Sequence, residues 1–111
     1  FWLEGCPYCQ RMTSVTFRDP GVLERLKRGF EPAGVNVRGD RDIAWTDGAT
    51  LTEKQLAAKL GVRGTPTILF LDGKGEIALR LVGYVAPTEF ARALDSLSTA
   101  PTAVLRSASP R

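Results

Sequence analysis

The sequence contains two cysteines, which are separated by two residues in Cys6-Pro7-Tyr8-Cys9. Pro7 suits the first turn of a helix, because an N–H at that position would have no partner. The free amides and the dipole at a helix N-terminus stabilise an anion, which lowers the pKa of a thiol. Cys6 is therefore the predicted thiolate nucleophile. Cys9 follows one helical turn later on the same face, where it can attack a mixed disulfide formed at Cys6.

Three other uses of this cysteine pair have less support. A structural zinc site takes four ligands, whereas the chain has two cysteines and no histidine, so a metal would require a second protomer. A structural disulfide across one turn closes a short loop and constrains the unfolded chain little. Copper delivery favours nearby histidine or methionine, and Met12 is the single methionine. We therefore expect a redox dithiol, Cys6 and Cys9, that needs neither a metal nor an organic cofactor.

Composition excludes several other classes of protein and of catalytic site. A chain of 111 residues with 43% hydrophobic residues is typical of one globular domain. It has no apolar stretch of the roughly 20 residues that a transmembrane helix needs. The net charge is +3, but the eleven arginines are spread along the chain, which argues against nucleic-acid binding. The absence of histidine removes Ser-His-Asp and Cys-His catalysis.

The elements that position the cysteines follow from the hydrophobic pattern. The pattern predicts strands over 1–3, 35–38, 67–71 and 76–82, and helices over 7–17, 20–30, 50–60 and 87–97. Because apolar and aromatic residues open the chain with no cap before them, we expect the first strand to begin upstream of Phe1. This order of elements indicates an α/β fold with a mixed sheet.

Capping residues define two of the predicted helices. Asp19 is a predicted N-cap with Pro20 at the first helical position. Thr50 and Glu53 have the spacing of a capping box, and Gly61 is the predicted left-handed residue after the same helix.

Two segments have few apolar residues. The stretch 38–52 is polar apart from Ile43 and Trp45, which predicts a loop or insertion. Residues 99–111 are rich in Ser, Thr, Ala, Pro and Arg, so we expect a mobile tail. The predicted organisation is one domain over 1–98, with an insertion around 38–52, followed by that tail.

Two motifs in the same order resemble the thioredoxin family. The first is Phe1-Trp2 followed by Cys6-Pro7-Tyr8-Cys9, and the second runs from Gly61 through Thr65-Pro66-Thr67 to the Asp72–Glu76 turn. The resemblance covers about residues 1–98. It implies a mixed central sheet flanked by helices, with the first strand truncated in this chain.

The thioredoxin resemblance also implies site residues. Pro66 would be cis and would lie against the cysteine pair, with the backbone before it binding an extended substrate; the alternative is a trans proline that opens a strand. Thr65 would either direct its hydroxyl toward the Cys6 sulfur or cap the loop. Pro7, Tyr8, Thr65 and Pro66 are thus the predicted docking and tuning residues. The buried acid of thioredoxins would precede Phe1, and Glu4 is either a substitute for it or an exposed carboxylate.

The family resemblance implies a thiol:disulfide oxidoreductase that acts on protein disulfides as a monomer. The Pro-Tyr pair between the cysteines is similar to glutaredoxins and to some periplasmic thiol proteins. The chain most resembles the periplasmic thioredoxins of bacterial sulfur-oxidation operons, the SoxW type, in the long 38–52 stretch with Gly48, the helix start over 52–57, Thr65-Pro66-Thr67 and Gly83-Tyr84. This similarity implies reduction in the periplasm, with electrons from a membrane thiol transporter or another dithiol protein. A disulfide oxidase or isomerase, a binding module without redox turnover and a cytoplasmic location are the alternatives.

Overall fold

The computed structural model of the protein describes residues 1–98. The predicted tail over 99–111 lies outside the described residues. The helices are α1 (Pro7–Ser14), α2 (Pro20–Gly29), α3 (Glu53–Lys59) and α4 (Pro87–Ser98), and the strands are β1 (Asp42–Ala44), β2 (Thr50–Thr52), β3 (Thr67–Leu71) and β4 (Ile77–Val82). No helix within residues 1–98 has the length and apolar composition needed to cross a membrane.

The extended segments next to the cysteines form a mixed arrangement. β3 pairs with β4 in antiparallel orientation. On the other side of β3, Phe1 and Thr67 exchange backbone hydrogen bonds of 2.7 and 3.2 Å. Trp2 forms a parallel bridge with the 35–37 segment through backbone hydrogen bonds of 2.8 and 2.9 Å. The order across the molecule is therefore 35–37, the start of the chain, β3 and β4.

Two groups of buried side chains hold these segments against the helices. The larger group joins α1, α2 and α4 to β3 and contains Met12, Val22, Phe70, Leu71, Phe90 and Leu94. The smaller group joins α3 to β1 and the 35–37 segment and contains Val35, Ile43 and Leu56. Trp45 packs against both groups. Phe90 is fully buried, and its ring lies 5.6 Å from that of Phe17 and 5.8 Å from that of Phe70, within the range of favourable aromatic pairs.

The first helix is shorter than predicted. α1 ends at Ser14, and a single turn of 3-10 helix follows over Thr16–Arg18, whereas the pattern predicted one helix over 7–17. Val15 departs from helical geometry with φ −113° and ψ −67°. Val15 and Thr16 are β-branched, which disfavours continuation of the helix, and the buried Thr16 hydroxyl donates a 2.6 Å hydrogen bond to the Val85 carbonyl.

The second helix begins as predicted. α2 starts at Pro20, and the Asp19 carboxylate accepts a 3.1 Å hydrogen bond from the Val22 N–H. The sequence spacing predicts an apolar face made of Val22, Leu23, Leu26 and Phe30. Val22 is fully buried as predicted, but Leu23 is exposed. The helix therefore contacts the core through a narrower stripe than the sequence indicated.

The predicted capping box of α3 is wrong by two residues. Thr50 belongs to β2, and the helix is capped by Thr52, whose hydroxyl accepts a 3.1 Å hydrogen bond from the Gln55 N–H. The Gln55 side chain accepts a 3.0 Å hydrogen bond from the Thr52 N–H in return. Glu53 therefore takes no part in the capping box, and its side chain is buried. Gly61 has the predicted left-handed conformation, with φ +68°.

The stretch 38–52, predicted as a loop or insertion, contains a hairpin formed by β1 and β2. β1 and β2 pair in antiparallel register, and Ile43 between them is fully buried. Near the tip, the Thr46 hydroxyl donates a 3.3 Å hydrogen bond to the carbonyl of Gly75 in the β3–β4 turn. That turn lies at the end of β3 opposite Pro66. The hairpin thus covers the core at the end of the sheet that is remote from the cysteines.

Candidate active site

The cysteine pair lies at the start of α1. Gly5 takes the left-handed conformation, with φ +80°, and turns the chain from the sheet into the helix. Cys6 is the N-cap, and its sulfur accepts a 3.2 Å hydrogen bond from the Cys9 N–H. Pro7 is the first helical residue, as predicted. The Cys6 sulfur therefore occupies the position where a helix N-terminus stabilises an anion.

Thr65 contacts the same sulfur from the far motif. Its hydroxyl donates a 3.3 Å hydrogen bond to the Cys6 sulfur, and its carbonyl accepts a 3.6 Å hydrogen bond from the Cys6 thiol. Thr65 can therefore bind the sulfur in both the thiolate and the thiol forms. The peptide bond between Thr65 and Pro66 is cis. The structure thus brings together two motifs that are 59 residues apart in the chain.

The environment of Cys6 favours the thiolate. A hydrogen bond from the Cys9 side chain is the main cause that lowers the pKa of Cys6, followed by the hydroxyl of Thr65. Partial burial acts in the opposite direction, and the backbone N–H of Cys9 adds to the lowering. Both cysteines are free thiols. Cys6 is half-buried, whereas Cys9 is only 8% exposed, so a large partner reaches Cys6 first.

Cys9 lies in the floor of the site. It forms part of the wall of an apolar cavity of about 540 Å³ that Met12, Pro66 and Phe70 also line. On its other side, a shallow cleft contains Cys9 and Glu4. Glu4 is exposed, in agreement with its interpretation as a surface carboxylate, and it shares this cleft with the buried thiol.

The other predicted docking residues surround Cys6. Tyr8 is 61% exposed beside the cysteines, and Thr65 is half-buried. Pro66 is buried, and its carbonyl accepts a 2.8 Å hydrogen bond from the Gly83 N–H. The Thr67 hydroxyl donates a 2.6 Å hydrogen bond to the carbonyl of Gly64 and so closes the loop. Within residues 1–98, no group of three or more His, Cys, Asp or Glu residues is placed to bind a metal ion.

Comparison with known proteins assigns the family. Residues 1–98 match the model of a family described as the thioredoxin-like domain. The chain belongs to the thioredoxin-like family. The predicted fold is thereby confirmed, and a solved relative gives the same result: the solution structure of a thioredoxin from Thermus thermophilus superposes with a TM-score of 0.69 at 34% identity. The match covers 86% of this chain and 68% of that thioredoxin.

A curated relative is also similar to this thioredoxin-like chain. It is the thiol:disulfide interchange protein DsbD of Photorhabdus laumondii, which is 35% identical over 101 residues. The match covers 87% of this chain but 16% of the relative, so the chain spans about a sixth of that protein's length.

One contact of the thioredoxin-like site was missed by the sequence analysis. The guanidinium carbon of Arg11 lies 4.8 Å from the centre of the Tyr84 ring. The position of Arg11 three residues after Tyr8 could have placed it near the cysteines on α1. Its pairing with Tyr84, which is 73 residues away in the chain, required the tertiary structure.

Proposed function

We propose that this thioredoxin-like chain is a thiol:disulfide oxidoreductase that reduces disulfides of protein partners. The observation that carries the proposal is the set of hydrogen bonds to the Cys6 sulfur from Cys9 and Thr65, which lowers the pKa of the more exposed thiol. A thiolate is the reactive form in disulfide exchange. The similarity to a protein named for thiol:disulfide interchange supports the same activity.

The reaction proceeds in two exchanges. The Cys6 thiolate attacks one sulfur of the substrate disulfide, which forms a mixed disulfide and releases the other substrate sulfur as a thiolate. The Cys9 sulfur, as a thiolate, then attacks Cys6, which forms the Cys6–Cys9 disulfide and releases the second substrate thiolate. Two electrons pass from the dithiol to the substrate, and the two protons of the cysteines are available to the released sulfurs. The electrons reside on the two sulfurs, so no further cofactor takes part.

The cis-proline loop supplies the docking edge. The backbone of Thr65, directly before the cis proline Pro66, lies beside Cys6 and binds an extended substrate segment in the manner of an added strand. Thr65 also tunes the sulfur through its hydroxyl. Pro7 shapes the first turn of α1, and the exposed Tyr8 ring borders the same edge.

The proposed setting is the bacterial periplasm. Its support is the resemblance of the sequence to the periplasmic thioredoxins of sulfur-oxidation operons. In this setting the chain acts as a monomer on protein disulfides, and a membrane thiol transporter or another dithiol protein returns electrons to the Cys6–Cys9 disulfide.

Insulin reduction tests the activity, with dithiothreitol as the electron donor. We expect the wild-type protein to accelerate precipitation of the insulin B chain, and Cys6→Ser to abolish the acceleration. Lys54→Gln, a change at an exposed residue of α3, is the control and should retain the wild-type rate. Equal precipitation rates with and without the wild-type protein would contradict the proposal and favour a binding module.

The redox potential tests the direction of electron flow. A reductase should equilibrate with glutathione near the values of thioredoxin or glutaredoxin, roughly −270 to −200 mV. A potential above about −150 mV would instead identify an oxidase, because about −120 mV is typical of a strong oxidant.

A further inference from the structure

A cation is held over an aromatic ring beside the cysteine pair. Arg11 is exposed on α1, and its guanidinium carbon lies 4.8 Å from the centre of the half-buried Tyr84 ring. A cation at this distance from a ring face is attracted to it, which restricts the position of an otherwise flexible side chain.

The Arg11–Tyr84 pair borders the proposed docking edge. Tyr84 directly follows Gly83, whose N–H donates to the Pro66 carbonyl, so the backbone next to Tyr84 is bound to the cis-proline loop. Arg11 lies three residues after Tyr8 on α1, and this spacing places both side chains on one side of the helix. An extended partner bound along the loop therefore passes close to the guanidinium.

Within the described residues, the Arg11 charge has no ion-pair partner. The ion pairs formed within residues 1–98 are Arg25–Asp95, Arg41–Glu53 and Lys59–Asp47, and none of them uses Arg11. A guanidinium has five N–H donors at its edge, which match a carboxylate. Arg63, exposed three residues before Pro66, adds a second positive charge to the loop.

We propose that Arg11, positioned by Tyr84, selects disulfide substrates that carry an acidic side chain close to the reactive cysteine. The inference rests on the proposed oxidoreductase function and adds the chemistry of the preferred partner. Its effect is on docking, because the Cys6 sulfur is stabilised by hydrogen bonds from Cys9 and Thr65.

The test uses synthetic peptides in which one cysteine is held as a mixed disulfide with 2-mercaptoethanol. A single Glu, or Gln in its place, is moved through the three positions on each side of the cysteine. The second-order rate constant of the reduced protein with each peptide is measured by acid quenching and mass spectrometry. In at least one position, we expect the Glu peptide to react about two- to five-fold faster than the Gln peptide, the upper part of the range for an exposed ion pair. High salt should bring this ratio toward one.

Variants assign the preference to Arg11. Arg11→Gln should lower the ratio of Glu to Gln rates to one, whereas Arg92→Gln, an exposed arginine of α4, should leave it unchanged. Tyr84→Phe keeps the ring face and should keep the ratio, while Tyr84→Leu should lower it. Because each ratio is taken within one variant, a general loss of activity cancels.

Two results would overturn the inference while leaving the proposed function intact. One is equal rates for Glu and Gln peptides at all six positions, and the other is a preference that survives in Arg11→Gln. If the wild-type protein reacts with neither peptide at any position, the oxidoreductase function itself fails, and the inference fails with it.

Discussion

The buried carboxylate of Glu53 provides a test of how the sheet beside the cysteines is held. Its two oxygens accept hydrogen bonds from the backbone N–H of Asn36 at 2.9 Å and of Arg41 at 3.3 Å, and the Arg41 guanidinium lies at 3.5 Å. Gly39 is so close that a Cβ there would overlap the carboxylate. Glu53 thus links α3 to the 35–37 segment. This segment pairs with Trp2, which precedes the cysteine turn in the chain.

Glu53→Ala leaves both backbone N–H groups without this acceptor. A hydrogen bond to a charged group contributes about 1.5–3 kcal/mol, and a buried donor left unpaired costs about 1–3 kcal/mol. Water can replace the acceptor at Arg41, which is exposed, but less readily at Asn36, which is half-buried. We therefore expect Glu53→Ala to lower the free energy of unfolding by about 2–4 kcal/mol. Glu53→Gln keeps one acceptor oxygen and should lower it by about 1–2 kcal/mol.

Urea denaturation followed by circular dichroism measures both losses. Glu76→Gln, at the exposed β3–β4 turn, is the control and should change the free energy by less than about 0.5 kcal/mol. A loss below about 0.5 kcal/mol for Glu53→Ala would refute the reasoning, because the carboxylate would then contribute no more than a surface side chain.

Three further changes test separate parts of the structure. Thr65→Val removes the hydroxyl that donates to the Cys6 sulfur, so the pKa of Cys6 should rise and the pH profile of its alkylation by iodoacetamide should move to higher pH. Thr65→Ser keeps a hydroxyl and should keep the wild-type profile. An unchanged profile in Thr65→Val would contradict the role of the hydroxyl. Asp19→Ala removes the cap of α2 and should lower the free energy of unfolding by about 1 kcal/mol in urea, whereas no loss would show that the bond to Val22 is not stabilising. Phe90→Ala removes a fully buried ring and should lower the free energy of unfolding by about 3–5 kcal/mol. A loss under about 1 kcal/mol would mean that the core collapses around the change.

The parts of the fold that could be predicted from sequence are those with local signals. Asp19 and Pro20 mark the start of α2, because Asp is favoured at the N-cap and Pro at the first helical position. A short apolar run gives the bounds of β3 over Thr67–Leu71. The start of α1 at the cysteines follows from Pro7, which suits the first turn of a helix. Each of these features depends on residues that are close together in the sequence.

The features that the sequence did not predict depend on tertiary contacts. Thr50 and Glu53 have the spacing of a capping box, but pairing with β1 takes Thr50 into a strand. The polar stretch 38–52 has the composition of a loop, yet burial of Ile43 and the contact of Thr46 with Gly75 order it as a hairpin. Thr65 had two possible roles, and only the fold shows its hydroxyl at the Cys6 sulfur.

Covalent trapping with Cys9→Ser tests the central claim most directly. This variant, in its reduced form, is mixed with insulin, quenched in acid and separated by electrophoresis without a reductant. Because the second exchange is blocked, we predict a mixed disulfide between Cys6 and an insulin chain that dithiothreitol dissociates, and no such complex with the double variant Cys6→Ser/Cys9→Ser. The absence of a covalent complex with Cys9→Ser would contradict the assignment of Cys6 as the nucleophile.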